Sequence, residues 1–150
     1  MNDLEPLDAY CAGLIANLTP AARRQLAREM ASRLRASQAK RIAAQQNPDG
    51  STYAPRKPHK FRSKKGLIRR TMFAKMRTAR FLKSEATPEG AAVTFASQVQ
   101  RIAQVHQYGL RDKVNRRRGP EVQYSARELL GLTANDLSLI EDMIIARLAR

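Results

Sequence analysis

Arg80-Phe81-Leu82-Lys83-Ser84-Glu85-Ala86-Thr87-Pro88-Glu89-Gly90-Ala91-Ala92-Val93-Thr94-Phe95-Ala96 is the stretch that separates a mixed fold from an all-helical one. Its centre, Thr87-Pro88-Glu89-Gly90, is turn chemistry, with Pro at the second position and Gly at the fourth. The arms on either side are short and lack helical period, so they predict a β-hairpin at about 80–96. Everything else in the chain with strong periodicity is helical. The prediction is therefore an α+β fold: N-terminal helices, a small antiparallel sheet with that hairpin, a helix before Gly109 and a C-terminal helix.

Upstream, residues 4–46 read as two helices. Leu4, Leu7, Cys11, Leu14, Ile15 and Leu18 recur at spacings of three and four, which puts them on one face. Thr19-Pro20 restarts the helix, with Thr as N-cap and Pro where its missing N–H costs nothing. Leu26, Met30, Leu34 and Ile42 then form the apolar side of a long helix, and Arg23, Arg24, Arg28, Arg33, Arg35, Lys40 and Arg41 occupy much of the rest. Asn47-Pro48-Asp49-Gly50-Ser51 ends it, because Pro48 disfavours helical backbone at Asn47 and Asp-Gly is a turn pair.

Downstream of the arm that follows, Leu67–Thr78 is expected as a short helix with Leu67, Ile68, Met72, Phe73 and Met76 inward. Gln98–Gln107 is expected as another, with Val99, Ile102, Ala103 and His106 on one face and Gly109 as its stop. Leu110–Gly119 reads as a basic loop, Val122–Tyr124 as a short strand. Thr133 with Asp136 three residues later is a capping-box start for a helix carrying Leu137, Ile140, Ile144 and Leu148. The organisation expected is a single domain over 1–150: a helical part at 4–46, a basic arm at 47–65 and an α+β part at 66–150.

The 28 Lys and Arg against 13 Asp and Glu give a formal net charge of +15. A field of that size calls for a polyanionic partner: nucleic acid, an acidic protein surface or a headgroup layer. Twelve basic residues and no acidic one lie between Ser51 and Ser84. Two His, one Cys and seven scattered Gly offer no metal-ligand spacing and no phosphate cradle. His106 with Asp112 is the one candidate for a base oriented by a carboxylate, and packing is the better reading of His106. The expectation is no enzyme, with no catalytic, cofactor-binding or metal site. No stretch has the ~18 apolar residues of a membrane span, and the protein is expected in the cytoplasm when made. A non-specific nucleic-acid-binding accessory protein is the alternative that charge alone supports, with Tyr53, Phe61 and Phe73 as candidate stacking residues.

Three segments carry more specific information. Arg41-Ile42-Ala43-Ala44-Gln45-Gln46-Asn47-Pro48-Asp49-Gly50-Ser51-Thr52-Tyr53-Ala54-Pro55-Arg56-Lys57 takes a helix through a polar turn into an aromatic residue, a proline and basic residues. Arg101-Ile102-Ala103-Gln104-Val105-His106-Gln107-Tyr108-Gly109 ends a helix on His-Gln-aromatic-Gly. Tyr124-Ser125-Ala126-Arg127-Glu128-Leu129-Leu130-Gly131-Leu132-Thr133 precedes the last helix. In order and spacing they resemble the virion morphogenesis, tail-completion family of Mu-like and related contractile-tailed temperate phages, from about residue 8 to the C-terminus. The first segment carries one aromatic, Tyr53, where family members often have a further one.

The resemblance implies a structural protein of the virion tail or neck, assembled in the host cytoplasm, that completes the tail and helps join it to the head. It implies a homo-oligomeric ring, a hexamer favoured, at the head-proximal tail end. The implied partners are the tail tube and neck or connector proteins, with non-specific DNA contact and no membrane. Tyr53, Arg56, Lys57, His106, Tyr108, Arg116, Arg117, Arg118 and Arg127 are the residues expected at assembly interfaces.

Overall fold

The computed structural model describes residues 5–57, 71–114, 117 and 119–149. Its elements run α1 (Glu5–Ala16), α2 (Pro20–Ala43), β1 (Leu82–Thr87), β2 (Gly90–Phe95), α3 (Gln100–Tyr108), β3 (Arg111–Lys113), β4 (Glu121–Gln123) and α4 (Ala134–Leu148). The fold is α+β. Of α1's predicted apolar face, Leu14 and Ile15 are half-buried, as is Leu18 in the linker beyond; the side chains of Leu4, Leu7 and Cys11 lie outside the described residues.

Helix α2 is the backbone of the molecule and starts as its sequence dictates. Thr19 is extended and its hydroxyl accepts from the Ala22 amide at 3.1 Å, with Pro20 beginning the first turn. At the other end the helix closes in a Schellman motif. The Gln46 amide reaches the Arg41 carbonyl and the Gln45 amide the Ile42 carbonyl. Gln45 holds the left-handed position at φ 59°, where glycine is usual. Its side chain explains its presence: the amide accepts from the Met72 N–H at 2.9 Å and donates to the Met72 carbonyl at 3.0 Å. That pairing fastens the start of the 71–80 turns to the end of the helix.

The hairpin forms in the predicted place. β1 and β2 pair antiparallel from Leu82↔Phe95 to Thr87↔Gly90, and both strands pack on α2. Ile42, Tyr53, Leu82, Phe95, Val99, Ala103 and Leu129 form the core, with Met72, Phe73 and Met76 against it. Ile42, Leu82 and Leu129 are completely buried, and each such side chain stabilises the fold by about 1.5–3 kcal/mol.

Three expectations need correction. Thr71–Arg80 is a run of turns instead of a helix, and Leu67–Arg70 lies outside the described residues. Phe73, at φ 65°, has left-handed backbone that no helix interior accepts, although it packs inward as its apolarity requires. The 110–119 loop contains a strand, β3, paired antiparallel with β4 from Arg111↔Gln123 to Lys113↔Glu121; three consecutive charged residues carry no strand signature. On α3, Ile102 is 48% exposed and Val105 takes the buried place. Helix α4 starts on a complete capping box between Thr133 and Asp136 and lies along α2. Its apolar side is shallowly buried: Ile140, Ile144 and Leu148 are half-buried, and Leu137 is exposed.

Candidate functional site: a clamped segment and its outer faces

The three recognisable segments meet in one place. Residues 128–131 bend at Leu129 and Leu130 and join neither helix nor sheet, yet every backbone polar group among them is bonded. Arg41 donates to the carbonyls of Glu128 at 2.9 Å and Leu129 at 2.7 Å. The Tyr53 hydroxyl also donates to the Glu128 carbonyl, and the Asn47 side chain accepts from the Glu128 amide. Gln107 accepts from the amides of Leu129 and Leu130 and donates to the Leu130 carbonyl, all within 2.8–2.9 Å. Gln38 accepts from the Gly131 amide and donates to its carbonyl. Side chains from α2, the 47–53 turn and α3 thus supply the partners that helix or sheet neighbours would otherwise give this backbone.

Arg127 works in the opposite direction. Its amide donates to the His106 carbonyl at 2.7 Å, and its guanidinium donates to the carbonyls of Ala54 at 2.7 Å and Pro55 at 2.9 Å. It is 5% exposed, and burial, then the nearby Arg56 charge, lowers its pKa. The segment that Arg41 and Gln107 hold therefore holds the start of the basic arm. Two glycines permit the closeness. A Cβ on Gly109, at φ 63°, would meet the Ala126 amide nitrogen at 2.8 Å, and one on Gly131 would meet Pro48 Cγ at 2.4 Å.

Four rings run edge to face through the same region: Tyr53–Phe73 at 5.8 Å, Phe73–His106 at 4.8 Å and His106–Tyr124 at 5.1 Å. His106 Nδ1 is buried without a partner among the described residues. Burial, reinforced by the Arg127 charge, lowers the His106 pKa to about 4, so the ring is neutral at pH 7. Asp112, its one candidate carboxylate partner, instead pairs with Arg101 at 2.5 Å. This is a packed histidine with no oriented base chemistry. Among the described residues no group of three or more His, Cys, Asp or Glu could hold a metal ion, and no helix is long and apolar enough to cross a membrane.

The residues expected at interfaces divide accordingly. Tyr53, 3% exposed, and Arg127 are bonded inside the chain, and His106 is half-buried between rings. Arg127 does not pair with its exposed neighbour Glu128. Arg56, Lys57 and Arg117 are exposed, with Lys57 reaching the Gln123 carbonyl at 2.7 Å. Tyr108 is 70% exposed. Arg116 and Arg118 lie outside the described residues. The structure adds Gln38, Arg41, Asn47 and Gln107, which sequence reading passed over. Gln38 and Arg41 did carry a signal: they fall four and seven residues after Leu34, on the inward stripe of α2, where a polar residue is conspicuous.

No solved structure matches the chain. The tail completion protein S of Escherichia phage P2 is 45% identical over 151 residues, covering 100% of both chains. A model of the phage virion morphogenesis family matches residues 2–149. With nearly its whole length matched, the chain belongs to the phage virion morphogenesis family.

Proposed function

We propose that this structural protein of phage tail assembly completes the tail and helps join it to the head, acting as a homo-oligomeric ring at the head-proximal tail end. The observation that carries the reading is the 45% identity, over the whole of both chains, with a protein named for tail completion. The distribution of side chains supports it. The recognisable segments are spent on internal clamping, which leaves the outer faces free for partners. Those faces expose Tyr108, Leu110, Val114, Leu132, Leu137 and Ile145, apolar side chains that a partner surface could cover. In this reading the basic arm 56–65 and the basic 111–118 segment meet acidic surfaces of the tail tube or neck, and DNA contact is non-specific and secondary.

The test is a variant with Arg116→Glu, Arg117→Glu and Arg118→Glu, supplied to a prophage lacking its own copy. The variant is expected to fold, shown by an unchanged circular dichroism melt, and to leave full heads and tails unjoined in electron micrographs. Normally joined virions from the folded variant would contradict the reading of that segment.

A further inference from the structure

Two outer surfaces of the chain expose apolar side chains, and they carry opposite charge. On α4, Leu137 is 50% exposed and Ile145, two turns on, 62%. Glu141 lies between them on the same stripe, with Asp142 beside it; both are exposed, and neither has a partner among the described residues. The second surface is a concavity of about 280 Å3 between α3 and β3. Val105 lies in its floor, Ile102 and Val114, 48% and 53% exposed, stand at its edge, and Arg101 and Lys113 complete the rim. Asp112 is neutralised there by Arg101. Glu121 faces Lys113 across the ribbon, yet the described residues 111–114 and 117 hold the basic side chains Arg111, Lys113 and Arg117 against the one acid, Asp112.

We propose that the α4 stripe of one copy docks into the α3–β3 concavity of the next copy, head to tail. This rests on the reading of the protein as a self-assembling ring subunit and names the surfaces that would build the ring. The argument is electrostatic. At a net charge of +15, most ways of bringing two copies together set positive against positive. A self-contact must place an acidic surface on a basic one, and α4 is where unpartnered acid and exposed apolar side chains coincide. A head-to-tail pairing of two different surfaces is heterologous, the kind that closes into a ring when the rotation between copies allows it. Leu137 and Ile145 supply the apolar contact, while Glu141 and Asp142 face Arg111 and Lys113 at the margin.

The test uses two reversals of the full chain, read by sedimentation velocity. One is Glu141→Lys with Asp142→Lys; the other is Arg111→Glu with Lys113→Glu. Each alone sets like charges together and is expected to weaken assembly roughly a hundredfold or more. Mixed in equal amounts they are expected to reassemble, because every contact in an alternating ring is then complementary. If the β3 reversal disturbs its ribbon, Ile145→Asp carries the same test from an exposed position and should also dissociate the ring. Either reversal assembling like the parent, or the mixture staying dissociated, overturns the proposed pairing and leaves the ring intact as an idea. A parent protein that stays monomeric at all concentrations removes the ring and the pairing together.

Discussion

His106 shows at the scale of one residue how this protein treats its polar side chains. The imidazole sits between Phe73 and Tyr124 with Nδ1 unpartnered among the described residues, and its pKa falls from 6.5 to about 4. In the unfolded chain the ring takes a proton near 6.5, in the folded chain only near 4. The unfolded state therefore binds more protons inside that window, and stability is complete above about 6.5 and falls as the pH drops toward 4. His106→Phe, which keeps a ring in the stack, should flatten that part of the stability profile measured by urea unfolding. An unchanged slope between pH 4 and 6.5 would mean that His106 is solvated. Asp136 is held below the usual carboxyl range: burial raises its pKa, but hydrogen bonds from Ser37 and Thr133 and the Arg41 charge outweigh that. Its own loss of stability comes at lower pH than that of His106.

At the scale of elements, the closest meeting is between the turn after α2 and the segment before α4. The turn is built by its own residues, the Asn47 amide reaching Ser51 and the Gly50 amide reaching Asn47. Pro48 then presses on Gly131 so closely that a methyl group cannot enter. Gly131→Ala is expected to cost about 1–3 kcal/mol, and Pro48→Ala in the same chain should return part of that loss. Chemical denaturation of the two single variants and the double variant reads the coupling. Strictly additive losses would show that the turn and the segment do not touch.

The same elements show what sequence could and could not deliver. Thr19-Pro20, the Thr87–Gly90 turn, Gly109 and the Thr133–Asp136 box were all legible, because capping and turn chemistry act over three or four residues. The 128–131 clamp was not, since its bonds join residues 22 to 93 positions apart and leave no local period. β3 was missed for a related reason, as its partner rather than its composition makes it a strand. Phe73 is inward as its apolarity predicts and not helical: apolarity reports burial, while its left-handed backbone, beside the Gln45–Met72 pairing, has no local sequence signal. The candidate site was legible as a set of segments and illegible as geometry, which turned Tyr53 and Arg127 inward.

At the scale of the whole molecule, the charge of +15 and the exposed apolar surfaces belong to one account. A subunit that meets acidic neighbours gains encounter rate and specificity from its field. In the proposed ring the same field would keep free copies apart until opposite surfaces are aligned. The interior clamp matters here because it fixes both the start of the basic arm, through Arg127 on Ala54 and Pro55, and the approach to α4, through Gln38 on Gly131. Outward surfaces on α3, α4 and the β3–β4 ribbon are thereby presented by a shared support.

The most direct measurement is electron microscopy of an induced lysate from a prophage lacking this gene, beside one in which the gene is supplied in trans. The account predicts full heads lying apart from unattached or overlong tails, with joined virions restored by the gene. Normally joined virions without the gene would contradict it.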